Sequence, residues 1–143
     1  MSQHQQHAKV KEVDWNKVMN AAGPYPMEAF TFVREGLTFT AQRVHPEAEV
    51  TPEADRHITG QQLCLGLRDY AIHQYGLMAP VVLDHWHVRR TDDFGRIVFA
   101  MITEGLMSKT ADDTLDDFRA VYDFDEAFSA GELLSRIAAC DAC

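Results

Sequence analysis

The chain has 143 residues, 46% of them hydrophobic and 24% charged, with a formal net charge of −9. Ordinary proportions of this kind exclude collagen, disorder and a coiled coil, and a chain of this length buries about two-thirds of its unfolded surface, so folding requires neither disulfide nor metal. No apolar run reaches the roughly 20 residues of a membrane span, and the opening Met-Ser-Gln-His-Gln-Gln-His lacks the apolar core of a signal peptide, so a cytoplasmic location with no membrane contact is expected.

Residues 1–8 are polar and expected to be frayed, and the whole chain reads as a single domain. Asp14 is placed to cap a short helix with Trp15, Val18, Met19 and Ala22 on one stripe, and Gly23 is its stop. A second helix opens at Pro26, carries Glu28 near the positive end of its dipole, and repeats Phe30, Val33, Leu37 and Val44 at helical spacing before Pro46. Gly36, inside that helix, predicts a closely packed neighbouring backbone. After a polar loop over 46–57, Thr59 and Gln62 have capping-box spacing, and Ile58 and Leu63 stand where a hydrophobic staple closes. The helix they open buries Leu63, Leu67, Tyr70 and Ala71 and stops at Gly76.

A further helix is expected from Pro80, presenting Val82, Leu83 and Trp86. Thr91 is the expected cap of the next, with Asp92 and Asp93 in its first turn and Phe94, Ile97, Val98, Met101 and Ile102 on its apolar face, ending at Gly105. Over 118–124 the rings of Phe118, Tyr122 and Phe124 alternate with Arg119, Val121 and Asp123, which is the period of a strand; Leu115, Phe118 and Tyr122 also fit a helix. Ser129 and Glu132 form a second capping-box pair, with Phe128 and Leu133 as its staple, opening a C-terminal helix and tail over 129–143. The predicted core is Phe30, Val33, Leu67, Tyr70, Trp86, Phe94, Val98 and Ile102.

These elements define a mainly α, compact helical domain. Their order also fits a winged helix, with a small β-hairpin near residues 106–124 and 92–104 as the recognition helix. That helix carries Asp92, Asp93 and Glu104 against Arg96 alone, and Arg89 and Arg90 in the preceding turn do not reverse its sign. Nucleic acid is therefore not an expected partner, because phosphate contacts require clustered Lys and Arg.

The stretches PMEAFTFVREGL, ITGQQLCLGLRDYAIHQYG, TDDFGRIVFAMITEGLMSKT and DDFRAVYDFDEAF, which cover most of residues 26–128, resemble an uncharacterised family of short bacterial proteins described as restricted to planctomycetes, verrucomicrobia and their relatives. The resemblance implies no particular activity, because that family has none assigned.

Function must then be sought in side-chain constellations. Cys140 and Cys143 make a C-x-x-C, but zinc needs four ligands and the other tidy pair, His4 and His7, lies at the far end; a free tail is expected. Three cysteines, an odd number, fit a reducing compartment better than a disulfide framework, and Cys64 reads as a small core residue. No P-loop, dinucleotide fingerprint, G-x-S-x-G or HExxH occurs, so no cofactor and no metal are expected.

Charge is the remaining signal. Residues 111–143 hold nine acids against Arg119 and Arg136, a net of −7, whereas the first 110 residues have a net of −2. The reading that follows is a non-enzymatic protein–protein interaction module whose partner surface is Asp112, Asp113, Asp116, Asp117, Asp123, Asp125 and Glu126, and whose partner is a basic protein. The alternative is a small enzyme or metal-binding protein with a site assembled from dispersed residues, His85, His87 and the acids of 123–126 being its candidates. A flat apolar patch rimmed by acids favours the first, and a polar cavity with convergent acids favours the second.

Overall fold

A computed structural model of the chain describes residues 2–3, 14–47 and 57–141, with side chains over 14–47 and 57–139. Helices α1 (Trp15–Ala22), α2 (Met27–Val44), α3 (Gly60–Tyr75), α4 (Ala79–His85), α5 (Thr91–Thr103), α6 (Phe124–Ala127) and α7 (Ala130–Asp141) make the chain mainly helical. Among the described residues no helix is long and apolar enough to cross a membrane.

Local chemistry sets most of these boundaries. The Asp14 carboxylate accepts from the Lys17 amide at the start of α1, and Gly23 ends the helix with a positive φ. At α3 both halves of the capping box form: the Gln62 amide donates to Thr59 Oγ1 at 3.1 Å, and the Thr59 amide donates to Gln62 Oε1 at 2.9 Å. Ile58 and Leu63, the staple, are both buried. At α7 only half of the expected box closes. The Glu132 amide donates to Ser129 Oγ, but the Glu132 carboxylate turns to Arg136 one helical turn on.

The helices share one buried cluster. Phe30, Val33, Leu67, Tyr70, Trp86, Phe94 and Val98 all lie in it, as expected, while Ile102 is half-buried at its margin. Helix α2 packs along α3, and α5 lies against α1 and α2. The α2–α3 crossing explains two glycines together. A Cβ on Gly36 would lie 2.3 Å from Leu67 Cδ2, and one on Gly66 would lie 1.9 Å from Thr40 Oγ1. The neighbour that excludes a side chain at Gly36 is therefore the Leu67 and Tyr70 side chains, not a backbone.

Two expectations fail between α5 and α7. No hairpin forms over 106–124. Met107–Ser108 (β2) pairs antiparallel with Ser2–Gln3 (β1) instead, so the wing of a winged helix is missing from the described residues. Residues 118–124 are not a strand either. Leu115–Phe118 is a 3-10 turn, Ala120 takes a positive φ of 47°, and Asp123 caps α6. Phe118 is fully buried and Phe128 nearly so, while Tyr122 and Phe124 are half-buried. The rings alternate because an irregular segment seals the end of the bundle and drops one ring after another onto it.

Candidate functional site

The turn entering α5 organises a dense polar network. Arg90, not Thr91, is the N-cap, and Thr91 is the first helical residue. The Thr91 hydroxyl is buried and bonds outward to the sealing segment: it donates to the Phe118 carbonyl at 2.6 Å and accepts from the Val121 amide at 3.1 Å. Asp92 accepts from the Ala120 amide at 3.3 Å. Asp93 is 6% exposed, and its Oδ2 accepts from the Arg89 and Arg90 amides at 2.8 and 3.0 Å. Its Oδ1 accepts from the Tyr25 hydroxyl and, at 2.8 Å, from Arg96 Nη1. Burial, with the Asp93 bond adding to it, pushes the Tyr25 phenol up to about 12.

Between these two segments lies a cleft of about 320 Å³ lined by Arg89, Arg90, Asp92, Ala120, Tyr122, Asp123, Phe124 and Asp125. Its aromatic side is firmly held. The Tyr122 and Phe124 rings stack with centroids 5.7 Å apart, Phe124 rests on Phe94 at 5.9 Å, and the Tyr122 hydroxyl donates to the Cys64 carbonyl at 2.9 Å. Burial raises the Tyr122 phenol well above its ordinary value, so at neutral pH it is a hydrogen-bond donor. Ala120 is held in the left-handed region without being glycine, at a cost of about 1–2 kcal/mol.

The expected partner acids separate into distinct roles. Asp112, Asp116, Asp123, Asp125 and Glu126 are exposed. Asp113 is not a surface acid. It is 5% exposed, accepting from the Thr110 amide at 2.8 Å and meeting His57 Nε2 at 2.9 Å. Asp117 is half-buried and accepts from the Thr114 amide, and Asp123 accepts from the Asp125 amide as the α6 cap. Both therefore shape backbone as well as adding charge.

The rival site is not assembled in the same way. His85 and His87 are exposed, and neither lines the cleft that Asp123 and Asp125 line. Among the described residues no three His, Cys, Asp or Glu side chains converge as metal ligands do. Cys140 and Cys143, with His4 and His7, lie outside the described side chains. Cys64 is buried, and burial pushes its thiol up, away from the reactive thiolate. Two pairs escaped the sequence altogether: Asp113 with His57, and Asp93 with Tyr25. Their members are 56 and 68 residues apart, beyond any helical or strand period that would mark them.

Comparison with protein-family models, with curated proteins and with solved structures returns no match.

Proposed function

We propose that the protein is a non-enzymatic interaction module that docks a basic protein segment on the acidic face of residues 111–128. One observation carries this reading: Phe118 and Phe128 of the segment lie in the core while Asp112, Asp116, Asp125 and Glu126 lie in solvent, with Asp113 buried and Leu115 exposed as the exceptions. A stretch anchored by its rings presents its carboxylates from a fixed backbone, which lowers the ordering entropy that a flexible acidic tail would lose on binding. The resemblance of residues 26–128 to short bacterial proteins belongs to the same proposal and brings no chemistry of its own. The partner is basic because carboxylates at this density attract Lys and Arg and repel phosphate.

The test uses labelled basic peptides, Lys-rich and Arg-rich, titrated by fluorescence anisotropy at low and physiological salt. The doubles Asp112→Asn with Asp116→Asn, and Asp125→Asn with Glu126→Gln, leave the buried Asp113, the Thr114-bonded Asp117 and the cap Asp123 intact. Glu28→Gln with Asp84→Asn removes the same charge from other exposed positions. Binding should drop about tenfold in each of the first two doubles and hold in the third, and it should weaken as the Debye length shortens to about 8 Å. Equal losses in all three doubles would reduce the acids to bulk charge and end the reading.

A further inference from the structure

The cleft beside α5 carries an arrangement that an acidic docking face does not require. Its lining holds charges of both signs, Arg89 and Arg90 with Asp92, Asp123 and Asp125. Three of these already have partners. Arg89 Nε donates to Asp84 at 2.8 Å, Asp92 accepts from the Ala120 amide, and Asp123 accepts from the Asp125 amide. The Arg90 guanidinium and the Asp125 carboxylate have no hydrogen bond or ion pair among the described residues, with each other or with anything else.

We propose that this cleft binds a small zwitterion of the α-amino-acid class, its carboxylate on Arg90, its ammonium toward Asp125, and its side chain over the Tyr122 and Phe124 rings. Charge selects the class. An anion alone would satisfy Arg90 and face three carboxylates, while a cation alone would satisfy Asp125 and face two guanidiniums. A ligand carrying both signs meets a complement at each end, and the planar guanidinium is shaped for two parallel bonds to a carboxylate. Size agrees. About 320 Å³ stands at the lower end of small-molecule sites, which run from roughly 300 to 1,000 Å³. The backbone agrees as well, because Ala120 on the lining holds a positive φ of 47°, and strained positions of this kind gather at ligand sites.

The proposal does not rest on the docking of a basic partner, and its test reads a different ligand. The protein amino acids are screened one at a time by ligand-observed NMR saturation transfer, and hits are titrated by calorimetry. For an open cleft, at least one should bind with Kd of about 1 mM or tighter. For each hit, the decarboxylated amine and the N-acetylated acid should bind at least about tenfold more weakly, since each lacks one charge. Arg90→Gln and Asp125→Asn should each weaken the hit by a similar factor while thermal unfolding stays unchanged, because neither substitution removes a described side-chain bond. No saturable binding by any amino acid up to about 10 mM overturns the proposal. So does an amine or acid that binds as well as its parent, or a hit that both variants retain.

Discussion

Asp93 is where the fold and the cleft depend on one side chain, and Asp93→Asn is the perturbation that separates its duties. The carboxylate takes two backbone amides on Oδ2 and the Tyr25 hydroxyl with Arg96 on Oδ1. An asparagine keeps the shape and loses the charge and one acceptor. If its NH₂ faces the Arg89 and Arg90 amides, two donors lose their acceptor and confront a third donor. If the amide flips, its oxygen serves those amides and its NH₂ donates to the Tyr25 oxygen, but Arg96 then meets a donor. The flipped arrangement is the cheaper one, because the Arg96 side chain is 46% exposed and can turn to water. What remains is the difference between charged and neutral hydrogen bonds at a carboxyl that is 6% exposed, about 1 kcal/mol for each of two or three bonds.

The expected loss is therefore about 2–3 kcal/mol, or about 5–10 °C in melting temperature, measured by denaturant titration and calorimetry. Arg96→Gln isolates the ion pair and should lose no more than about 1 kcal/mol, since the guanidinium is 46% exposed and the buried Asp93 keeps its two backbone amides and the Tyr25 hydroxyl. Amide exchange at Arg89 and Arg90 should accelerate in Asp93→Asn and not in Arg96→Gln. Should Asp93→Asn match the wild type within about 0.5 kcal/mol, or should Arg96→Gln be the more damaging of the two, the Asp93 carboxylate does not anchor this turn.

Two further predictions concern the frame. Gly66→Ala should destabilise by about 1–2 kcal/mol, although alanine favours a helix by about 1 kcal/mol, because the new Cβ meets the buried, hydrogen-bonded Thr40 side chain; a more stable Gly66→Ala would show that the α2–α3 crossing has room to spare. Folding should also resist alkali only up to a point: Tyr25 and Tyr70 are both raised from 10.0 to about 12, so the stability held by their neutral phenols is whole below pH 10 and is lost as pH rises toward 12, and equal unfolding free energies at these two pH values would contradict the burial assigned to them.

Where the sequence was informative, the controlling interaction was local. Thr59 with Gln62, Asp14 with Lys17, and the glycines that stop α1 and α3 act within a turn of the chain, so spacing alone reveals them. The segment from Leu115 to Phe124 misled for an equally physical reason. Alternation of rings marks a strand only if the backbone is extended, and nothing in an alanine announces the left-handed turn at Ala120, whereas a glycine there would have done so. Thr91 looked like a cap because a hydroxyl before two aspartates usually is one. Its hydroxyl bonds instead to Phe118 and Val121, a tertiary pairing that outweighs the local one. Arg89 and Arg90 were weighed only as too few for nucleic acid, and their sharing of one cleft with Asp123 and Asp125 leaves no periodic trace.

The consecutive residues Thr91, Asp92 and Asp93 connect these observations. Thr91 and Asp92 hold the turn that carries Ala120, and Asp93 holds the backbone of Arg89 and Arg90, so one helical turn fixes both sides of the cleft. A site of that construction differs from a surface where charges happen to meet. Its backbone is set before any ligand arrives by these side-chain bonds, of which the Thr91–Phe118 one is fully buried, and the tips of Arg90 and Asp125 remain to be ordered. The proposed binding would then forgo little conformational entropy, which favours a ligand in a small, open cleft. The same construction assigns a cause to each failure of binding. Loss through Arg90→Gln or Asp125→Asn at unchanged stability is a lost contact, whereas loss through Asp93→Asn with lowered stability and faster amide exchange is a lost frame. A ligand that tolerated Asp93→Asn while the Arg89 and Arg90 amides exchanged freely would not be using the cleft as built.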